Sequence, residues 1–264
     1  MDAIILCSGF GTRLGAVGAV HPKPLLMVNE KPVLEYIADS IERIDEIEKV
    51  VITSNKKFAE KYQKWVEEKR KKGYGKELEL VIEPVMRNED RLGAIGSTAN
   101  AIEKANIRGD VLIIAGDNFH TFDMAQVMKE FLAKRTPGIV VYDVRSLEDA
   151  KRFGVVRVEN GIIKEMEEKP ERPKSTLIST AIYFLPRHSI ELMGRYVRET
   201  KQTDALGSFV MWLAAHESVR AIVPKTGKWV DIGSIKGYTQ ARFLSKHHYS
   251  SAPKPRNSYK GSKA

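Results

Sequence analysis

The sequence predicts an α/β fold of three layers, with a mixed, mostly parallel central sheet between two layers of helices. Short aliphatic strands alternate with helical stretches in the first half of the chain: the strands are residues 2–7, 49–53, 78–83 and 110–115, and the helices are residues 33–44, 57–71 and 94–105. The strands are apolar along their whole length, which is typical of parallel strands that are buried on both faces. The chain has 264 residues, which is long enough for one substantial domain.

From about residue 138 the alternation changes to consecutive strands. The predicted strands lie in GIVVYDV, FGVVRVENGIIKEMEEKP, LISTAIYFL and VRAIV, and the predicted helices are residues 188–200, 205–217 and 234–245. The segment ENG between two of these strands is typical of a hairpin turn. We therefore expect one domain over residues 1–245, with a first half at about 1–137 and a mixed extension of the same sheet at about 138–245.

The formal net charge of +9 is unevenly distributed, because residues 246–264 contain five Lys or Arg and no acidic residue. This segment is rich in Ser, Pro and Lys, so we expect a disordered basic tail. A nucleic-acid-binding module is an alternative suggested by the pI of about 9.4. The predicted strands lack the interleaved aromatic and basic residues of such modules, so we expect no nucleic-acid partner.

The apolar segments predict neither a membrane span nor a signal peptide. No apolar run approaches the roughly 20 residues that cross a bilayer. The N-terminus MDAIILC has no basic region before its apolar stretch, so it is interpreted as a core strand. Cys7 is the only cysteine, which suits a reducing cytoplasm, and we interpret it as a buried small residue rather than a catalytic thiol.

Four glycines follow the first strand, in the stretch LCSGFGTRLGAVGAVHPKPLL at residues 6–26. Glycine-rich turns after a strand can bring backbone N–H groups against phosphate oxygens. The Walker A motif needs Gly-Lys-Ser/Thr, which is absent here, and the dinucleotide fingerprint needs a glycine where the chain has Leu14. In sheets of this class, ligands bind beyond the carboxyl ends of the strands, where this loop and Gly116-Asp117-Asn118 both lie.

The order and spacing of Gly9, Gly11, Thr12, Arg13, Leu14 and Pro22-Lys23 resemble the signature GGxGTRLxPxTxxxPK of sugar-1-phosphate nucleotidyltransferases. Six further segments resemble elements of that family in order: Leu92-Gly93-Ala94 (LGTA), Gly116-Asp117 (GD), Phe153-Gly154-Val155-Val156 (YGVV), Glu168-Lys169-Pro170 (EKP), Ser179-Thr180-Ala181-Ile182-Tyr183 (NAGIY) and Trp229-Val230-Asp231-Ile232-Gly233 (WxDxG). The resemblance covers nearly the whole chain before the tail. It implies a Rossmann-like, GT-A-like α/β/α fold, with nucleotide bound by the first half and sugar phosphate by the second.

The resemblance also implies roles for particular residues. It implies a nucleotide site of Leu6, Ser8, Gly9, Gly11, Thr12, Arg13, Lys23, Glu83, Gly93 and Ala94, with Arg13 and Lys23 as catalytic cations on the triphosphate. It implies a sugar-phosphate site of Gly154, Glu168, Lys169 and Thr180, and Mg²⁺ held by Asp117 and Asp231.

The implied reaction is attack of a sugar 1-phosphate oxygen on the α-phosphorus of a nucleoside triphosphate, with release of pyrophosphate. A phosphate monoester has a second pKa near 6, so the nucleophile is ionised without a general base. dTTP or UTP with glucose 1-phosphate is favoured by the FGVV, EKP and GDN segments. CTP or GTP with another phosphorylated sugar or alcohol, such as mannose 1-phosphate, is the alternative. A protein that senses nucleotide sugars without turnover is the non-enzyme alternative. Because relatives in this family are often dimers or tetramers, a homo-oligomer is a further expectation.

The chain departs from the family signature at several positions. Ser8 replaces the first glycine, and Ala16 and Gly18 stand where the family has Pro and Thr. Glu83 stands where many relatives have a glutamine that contacts a pyrimidine base, and VMRNEDR lengthens the loop before Leu92. A carboxylate cannot donate to a base carbonyl, so the choice of base is the least certain implication of the resemblance.

Overall fold

The computed structural model describes residues 1–12 and 20–249, and its centre is a nine-stranded sheet. The strands are β1 (Asp2–Leu6), β2 (Met27–Val28), β3 (Lys31–Pro32), β4 (Lys49–Asn55), β5 (Glu77–Glu83), β6 (Val111–Ala115), β7 (Asn118–His120), β8 (Gly138–Asp143), β9 (Gly154–Glu159), β10 (Ile162–Glu168), β11 (Leu177–Leu185), β12 (Arg220–Ile222) and β13 (Trp229–Asp231). The central sheet has the order β5-β4-β1-β6-β11-β8-β12-β10-β9. Strands β2–β3 and β7–β13 form two small separate sheets.

The α-helices cover both faces of the central sheet. They are α1 (Val33–Glu42), α2 (Ala59–Lys71), α3 (Gly93–Lys104), α4 (Met124–Leu132), α5 (Leu147–Ala150), α6 (Arg187–Thr200), α7 (Leu206–Ala214) and α8 (Ile235–Tyr249). Ala3 and Ile5 of β1 pack in the core on one face, together with residues of α1, α2 and α4. Ile4 points to the opposite face, where it belongs to a second core with residues of α3, α6 and α7. The predicted three-layer α/β/α arrangement is therefore confirmed.

The sheet is mixed, and seven of its nine strands run in the same direction. In the first half β1 is parallel to both β4 and β6, so Ile4 lies opposite Val51 on one side and Ile113 on the other. Strand β11 enters from the second half and runs antiparallel between β6 and β8. Strands from both halves of the chain thus share one sheet.

The hairpin turn predicted at ENG is present between β9 and β10. Asn160 and Gly161 have φ values of 51° and 75°, the left-handed pair that a two-residue hairpin of this kind requires. The last helix was predicted to end at residue 245, but it runs to Tyr249. The first residues of the predicted tail are therefore helical, and the segment beyond 249 lies outside the described residues.

Several short elements were not predicted, namely α4, α5 and the strand pairs β2–β3 and β7–β13. The pairs β7–β13 and β2–β3 have only two or three residues per strand, too few for a periodic pattern. The β7–β13 pair lies directly beyond β6, at the carboxyl edge of the parallel strands. Within the described ranges, no helix combines the length and the apolar character that a bilayer span would need.

Candidate active site

The loop after β1 surrounds the first of two cavities at the carboxyl edge of the sheet. This cavity has a volume of about 240 Å³ and is lined by Leu6, Cys7, Gly9, Phe10, Gly11, Thr12, Lys23, Pro24, Asn88 and Asp117. Gly11 has a φ of 67°, a left-handed conformation that favours glycine. A Cβ atom at Gly9 would meet no heavy atom within 4 Å, so the glycine leaves bare backbone beside open space. Of the predicted loop residues, Leu6, Gly9, Gly11, Thr12 and Lys23 thus line one cavity, whereas Ser8 does not and Arg13 lies outside the described residues.

Lys23 is an almost buried cation in the wall of this cavity. Its residue is 7% exposed, and its Nζ lies 3.5 Å from Oδ2 of Asp117. Gly116, which precedes Asp117, packs tightly on the loop, because a Cβ there would lie 2.5 Å from Sγ of Cys7 and 2.9 Å from the carbonyl oxygen of Leu6. The absence of a side chain at Gly116 therefore lets Asp117 approach Lys23.

Asp231, the other predicted metal ligand, is held beside Asp117 by the β7–β13 pair. Asp231 pairs with Asn118 across the two strands, and the Ile232 N–H donates to the carbonyl oxygen of Asp117 at 3.2 Å. The Gly233 N–H donates to Oδ1 of Asp231 at 2.9 Å. A Cβ at Gly233 would lie 2.9 Å from both carboxylate oxygens. The glycine of the WxDxG segment thus leaves room for this orientation of the carboxylate.

A second cavity, of about 230 Å³, adjoins the first. Its lining residues are Leu6, Ala94, Ala115, Asp117, Asn118, Arg152, Phe153, Gly154, Met166, Glu168, Lys169, Ser179, Thr180, Ala181, Tyr183, Ala205, Leu206, Gly207, Trp229 and Asp231. Leu6 and Asp117 line both cavities, and Asp231 lines the second. The two cavities therefore meet at Leu6 and Asp117, with Lys23 in the wall of the first and Asp231 in the wall of the second.

The four residues predicted for sugar phosphate all line the second cavity, but they contribute different groups. Gly154 leaves space, because a Cβ there would overlap Cε of Met166 and lie 3.0 Å from Oε2 of Glu168. Lys169 Nζ lies 3.6 Å from Oε1 of Glu168, so a cation and a carboxylate stand together on this wall. The Thr180 hydroxyl donates to the carbonyl oxygen of Val140 at 2.8 Å and is therefore committed to the sheet.

Ser8 and Glu83 contact each other beneath the loop. The Ser8 hydroxyl lies 2.5 Å from Oε1 of Glu83 and 2.9 Å from Oγ1 of Thr53. Glu83 is only 1% exposed, and neither residue is in the lining of the two cavities. Burial raises the pKa of Glu83, while hydrogen bonds from Ser8 and Ser97 act in the opposite direction. In this structure the two departures from the family signature form one buried polar network that supports the loop.

Gly93 and Ala94 begin α3 and pack against a segment from the second half. Gly93 has a φ of 75°, and a Cβ there would overlap the carbonyl oxygen of Thr203 and lie 2.6 Å from Cα of Asp204. The Ala94 N–H donates to the Asp204 carbonyl at 2.7 Å, and the Ile95 N–H donates to the Thr203 carbonyl at 2.9 Å. The close backbone approach at Gly93 is therefore to Thr203 and Asp204, whereas Ala94 reaches the second cavity.

A family model described as nucleotidyl transferase matches residues 2–246. The chain belongs to this family. A Methanocaldococcus jannaschii relative named bifunctional protein GlmU is 29% identical over 238 residues, covering 88% of this chain and 51% of the relative. The glucose-1-phosphate thymidylyltransferase of Neisseria gonorrhoeae is 31% identical over 193 residues, covering 72% of this chain and 63% of the relative.

The chain spans 51% of the length of the bifunctional relatives that it matches first. Among solved structures, UTP-bound UGPase from Acinetobacter baumannii has a TM-score of 0.73 and 19% sequence identity, with 96% of this chain and 94% of that one covered. A likeness at this identity establishes the shared fold.

Two buried ionisable side chains near the cavities, Cys7 and His120, are poorly suited to act as general bases. Burial, followed by the charge of Asp117, raises the pKa of the Cys7 thiol well above its ordinary value, so the thiol stays protonated. Burial lowers the pKa of His120 to about 4, so its imidazole stays neutral at physiological pH. The interpretation of Cys7 as a buried small residue is confirmed by its 1% exposure.

The second cavity also contains residues to which no role was assigned from the sequence. Asn118 connects three segments: its Nδ2 donates to the carbonyl oxygen of Thr180, and its Oδ1 accepts from Trp229 Nε1 at 3.1 Å. Arg152 lies with a guanidinium nitrogen 3.8 Å from Oδ2 of Asp231. Asn118 could have been found from the sequence, because it directly follows Asp117. Arg152 could not, because it lies outside every motif.

Proposed function

We propose that this nucleotidyl transferase transfers a nucleoside monophosphate from a nucleoside triphosphate to a sugar 1-phosphate and releases pyrophosphate. The observation that carries the proposal is the junction of two cavities at Asp117, with Lys23 Nζ 3.5 Å from its carboxylate. A reaction that joins two phosphate compounds needs two adjacent binding spaces with fixed charges at their boundary.

The first cavity suits a triphosphate. Gly9 and Gly11 present backbone without side chains, and Lys23 supplies a cation with little access to water. Lys23 would stand beside the transferring phosphorus, and Arg13 belongs to the proposal as the cation that neutralises the departing pyrophosphate. The proposed role of Ser8 and Glu83 is to support the loop through the hydrogen bond between them.

The second cavity suits a phosphorylated sugar. Glu168 supplies acceptor oxygens for sugar hydroxyl groups, and Lys169 supplies a cation for the sugar's phosphate. The wall also carries aromatic faces from Phe153 and Trp229, whose ring centroids are 5.2 Å apart. The sugar phosphate would enter with its phosphate toward Asp117 and its ring toward Glu168.

Asp117 and Asp231 fit the requirements of Mg²⁺. This ion takes oxygen ligands and commonly binds through one or two carboxylates together with substrate phosphates. Both carboxylates line the cavity at the junction, and in the described part of the chain no cluster of three His, Cys, Asp or Glu side chains offers a complete metal cage. Bound there, the ion would supply positive charge for the α-phosphate and the incoming phosphate.

The reaction proposed here depends on charge and position rather than on proton transfer. The sugar phosphate oxygen is already ionised near neutral pH, because its second pKa is near 6. A fixed positive charge in a site that excludes water lowers the barrier by about 3 kcal/mol, which is about a hundredfold in rate. Lys23 in the first cavity, and Lys169 and Arg152 in the second, are described cations that line the site.

For the substrates we propose dTTP or UTP with glucose 1-phosphate. The N. gonorrhoeae relative is named a glucose-1-phosphate thymidylyltransferase, and the A. baumannii structure is described as UTP-bound. CTP or GTP with another phosphorylated sugar or alcohol, such as mannose 1-phosphate, is the alternative. The expectations of a cytoplasmic location and of a homo-oligomer stay predictions.

The test is a matrix of nucleoside triphosphates and sugar 1-phosphates, with pyrophosphate release as the measurement. We expect release only when both substrates and Mg²⁺ are present, and an Asp117→Asn variant should lose it. Background release with every combination, together with tight binding of a nucleotide sugar, would instead support a sensing protein. Preference for CTP or GTP would overturn the substrate choice and leave the reaction class in place.

A further inference from the structure

Two hydroxyl groups from β11 meet at the second cavity. Ser179 of β11 pairs with Val141 of β8, and Tyr183 of β11 pairs with Ile139 of β8. Strand β11 therefore advances by four residues over a length in which β8 advances by two. The extra residues form a bulge in which Ala181 has a φ of 57°. The bulge shortens the distance between the two side chains, and the hydroxyl oxygens of Ser179 and Tyr183 are 3.3 Å apart.

The hydrogen bonds of this pair have a definite direction. The Ala181 N–H donates to Oγ of Ser179 at 3.2 Å, and the Ser179 hydroxyl donates to the phenol oxygen of Tyr183. Among the described contacts of Tyr183, no acceptor for the phenol proton occurs. The phenol therefore has a donor left for a molecule in the cavity.

The surroundings of the phenol suit a sugar ring. Tyr183 and Ser179 line the cavity together with Glu168, and the residues Gly154 and Gly207 face Glu168 without side chains. Burial, and to a smaller extent the charge of Glu168, raises the pKa of Tyr183 to about 12, against the hydrogen bond from Ser179. The phenol thus remains a neutral donor over the range in which an enzyme assay is run.

We infer that Tyr183, oriented by Ser179, donates a hydrogen bond to one hydroxyl oxygen of the bound sugar and selects hexose 1-phosphates that carry this hydroxyl over their deoxy analogues. The inference rests on the proposed function and adds a specificity residue to it. A buried polar group that loses its partner retains its desolvation cost, so an analogue without the hydroxyl binds less well.

The experiment combines a protein change with a substrate change. Wild type and Tyr183→Phe are compared in kcat/KM for the hexose 1-phosphate that wild type uses fastest and for each of its monodeoxy derivatives. For one derivative we expect wild type to lose at least about tenfold, the size of one buried hydrogen bond. In Tyr183→Phe this penalty should fall below about threefold. Tyr196→Phe is the matched control, because it removes a buried phenol of the same core, bonded to Gln202, away from the cavity.

Each outcome decides the inference. The inference would be overturned if Tyr183→Phe kept the wild-type discrimination, or if it lost kcat/KM equally with the parent sugar and all derivatives. The proposed function would stand in both cases. If Tyr183→Phe does not fold, Ser179→Ala replaces it, since it keeps the ring and removes the donor that orients the phenol. Ser179→Ala should then show a partial loss of the wild-type discrimination against the same derivative. A wild-type profile in Ser179→Ala would overturn the inference. Absence of turnover by wild type with every sugar phosphate would overturn the proposed function, and the inference with it.

Discussion

Lys23 and Asp117 face each other at 3.5 Å where the two cavities meet, although Lys23 comes from the loop region after β1 and Asp117 from the turn after β6. Strands β1 and β6 are parallel neighbours, so their carboxyl ends deliver the two side chains to one point. These two described residues place a cation and a carboxylate at the boundary between the two cavities, where the proposed reaction would occur.

Replacement of Lys23 by alanine should lower kcat for pyrophosphate release by about a hundredfold or more, because a fixed charge is lost from a site with little water. Lys134→Ala removes an exposed lysine outside both cavities and should behave as wild type. Turnover of Lys23→Ala above half of the wild-type value would contradict the proposed role.

The Asp231→Asn variant should require at least about tenfold more Mg²⁺ for half-maximal activity, because a neutral amide binds the ion less strongly than a carboxylate does. The amide oxygen can still accept from the Gly233 N–H, so the local structure should persist. A titration of pyrophosphate release with Mg²⁺ measures this. Asp149→Asn, which breaks an ion pair of 3.0 Å with Lys236 nearby, is the control and should leave the Mg²⁺ requirement unchanged.

Two glycine-to-alanine changes should separate folding from binding. Gly93→Ala should lower the free energy of unfolding by about 2 kcal/mol or more, because its φ is 75° and the new methyl group would overlap the Thr203 carbonyl. Gly9→Ala should change stability by less than about 0.5 kcal/mol, since nothing lies within 4 Å, but should weaken triphosphate binding. Urea unfolding and nucleotide titration measure the two effects, and equal stability of the two variants would refute the assignment.

Glu83→Gln should gain stability relative to wild type as the pH rises. Burial raises the pKa of Glu83 in the folded state above its ordinary value of 4.5. Between the unfolded and folded pKa values the native state binds more protons, so the contribution of Glu83 is fully present below about 4.5 and is lost as the pH rises through the folded value. Urea unfolding from acidic to neutral pH should show a growing difference between Glu83→Gln and wild type. Glu60→Gln, at an exposed site, should differ from wild type in unfolding free energy by an amount that does not change with pH. A difference for Glu83→Gln that is equally independent of pH would disprove the prediction.

Asn118→Ala should lower the free energy of unfolding by about 2–4 kcal/mol, because it leaves the Thr180 carbonyl and the Trp229 indole N–H without their partner in a buried place. Gln63→Ala, which removes an exposed amide bonded to Glu67 at 3.3 Å, should cost less than about 0.5 kcal/mol. Thermal and urea unfolding give the comparison. If the two variants were equally stable, Asn118 would not be the connection inferred here.

The sequence was sufficient for the layered fold and for part of the cavity wall. Gly9 and Asp117 follow the ends of the apolar strands β1 and β6, and such ends can be found from local patterns. Lys23 and Asp231 were found only through the resemblance to the family signature. The sequence was less informative for Glu83, which was expected at the nucleotide and is enclosed beneath Ser8 instead.

What the sequence determined by itself was the parallel half of the sheet, the hairpin turn at Asn160 and Gly161, and the family, because each depends on residues close together in the chain. Only the tertiary structure decided that Thr203 lies against Gly93, that the Thr180 hydroxyl belongs to Val140, and that Ser179 and Tyr183 meet in a bulge. The first two contacts arise from the packing of segments distant in sequence, and the bulge arises from the unequal pairing of β11 with β8. Side-chain direction there depends on the neighbouring backbone, which no local pattern specifies.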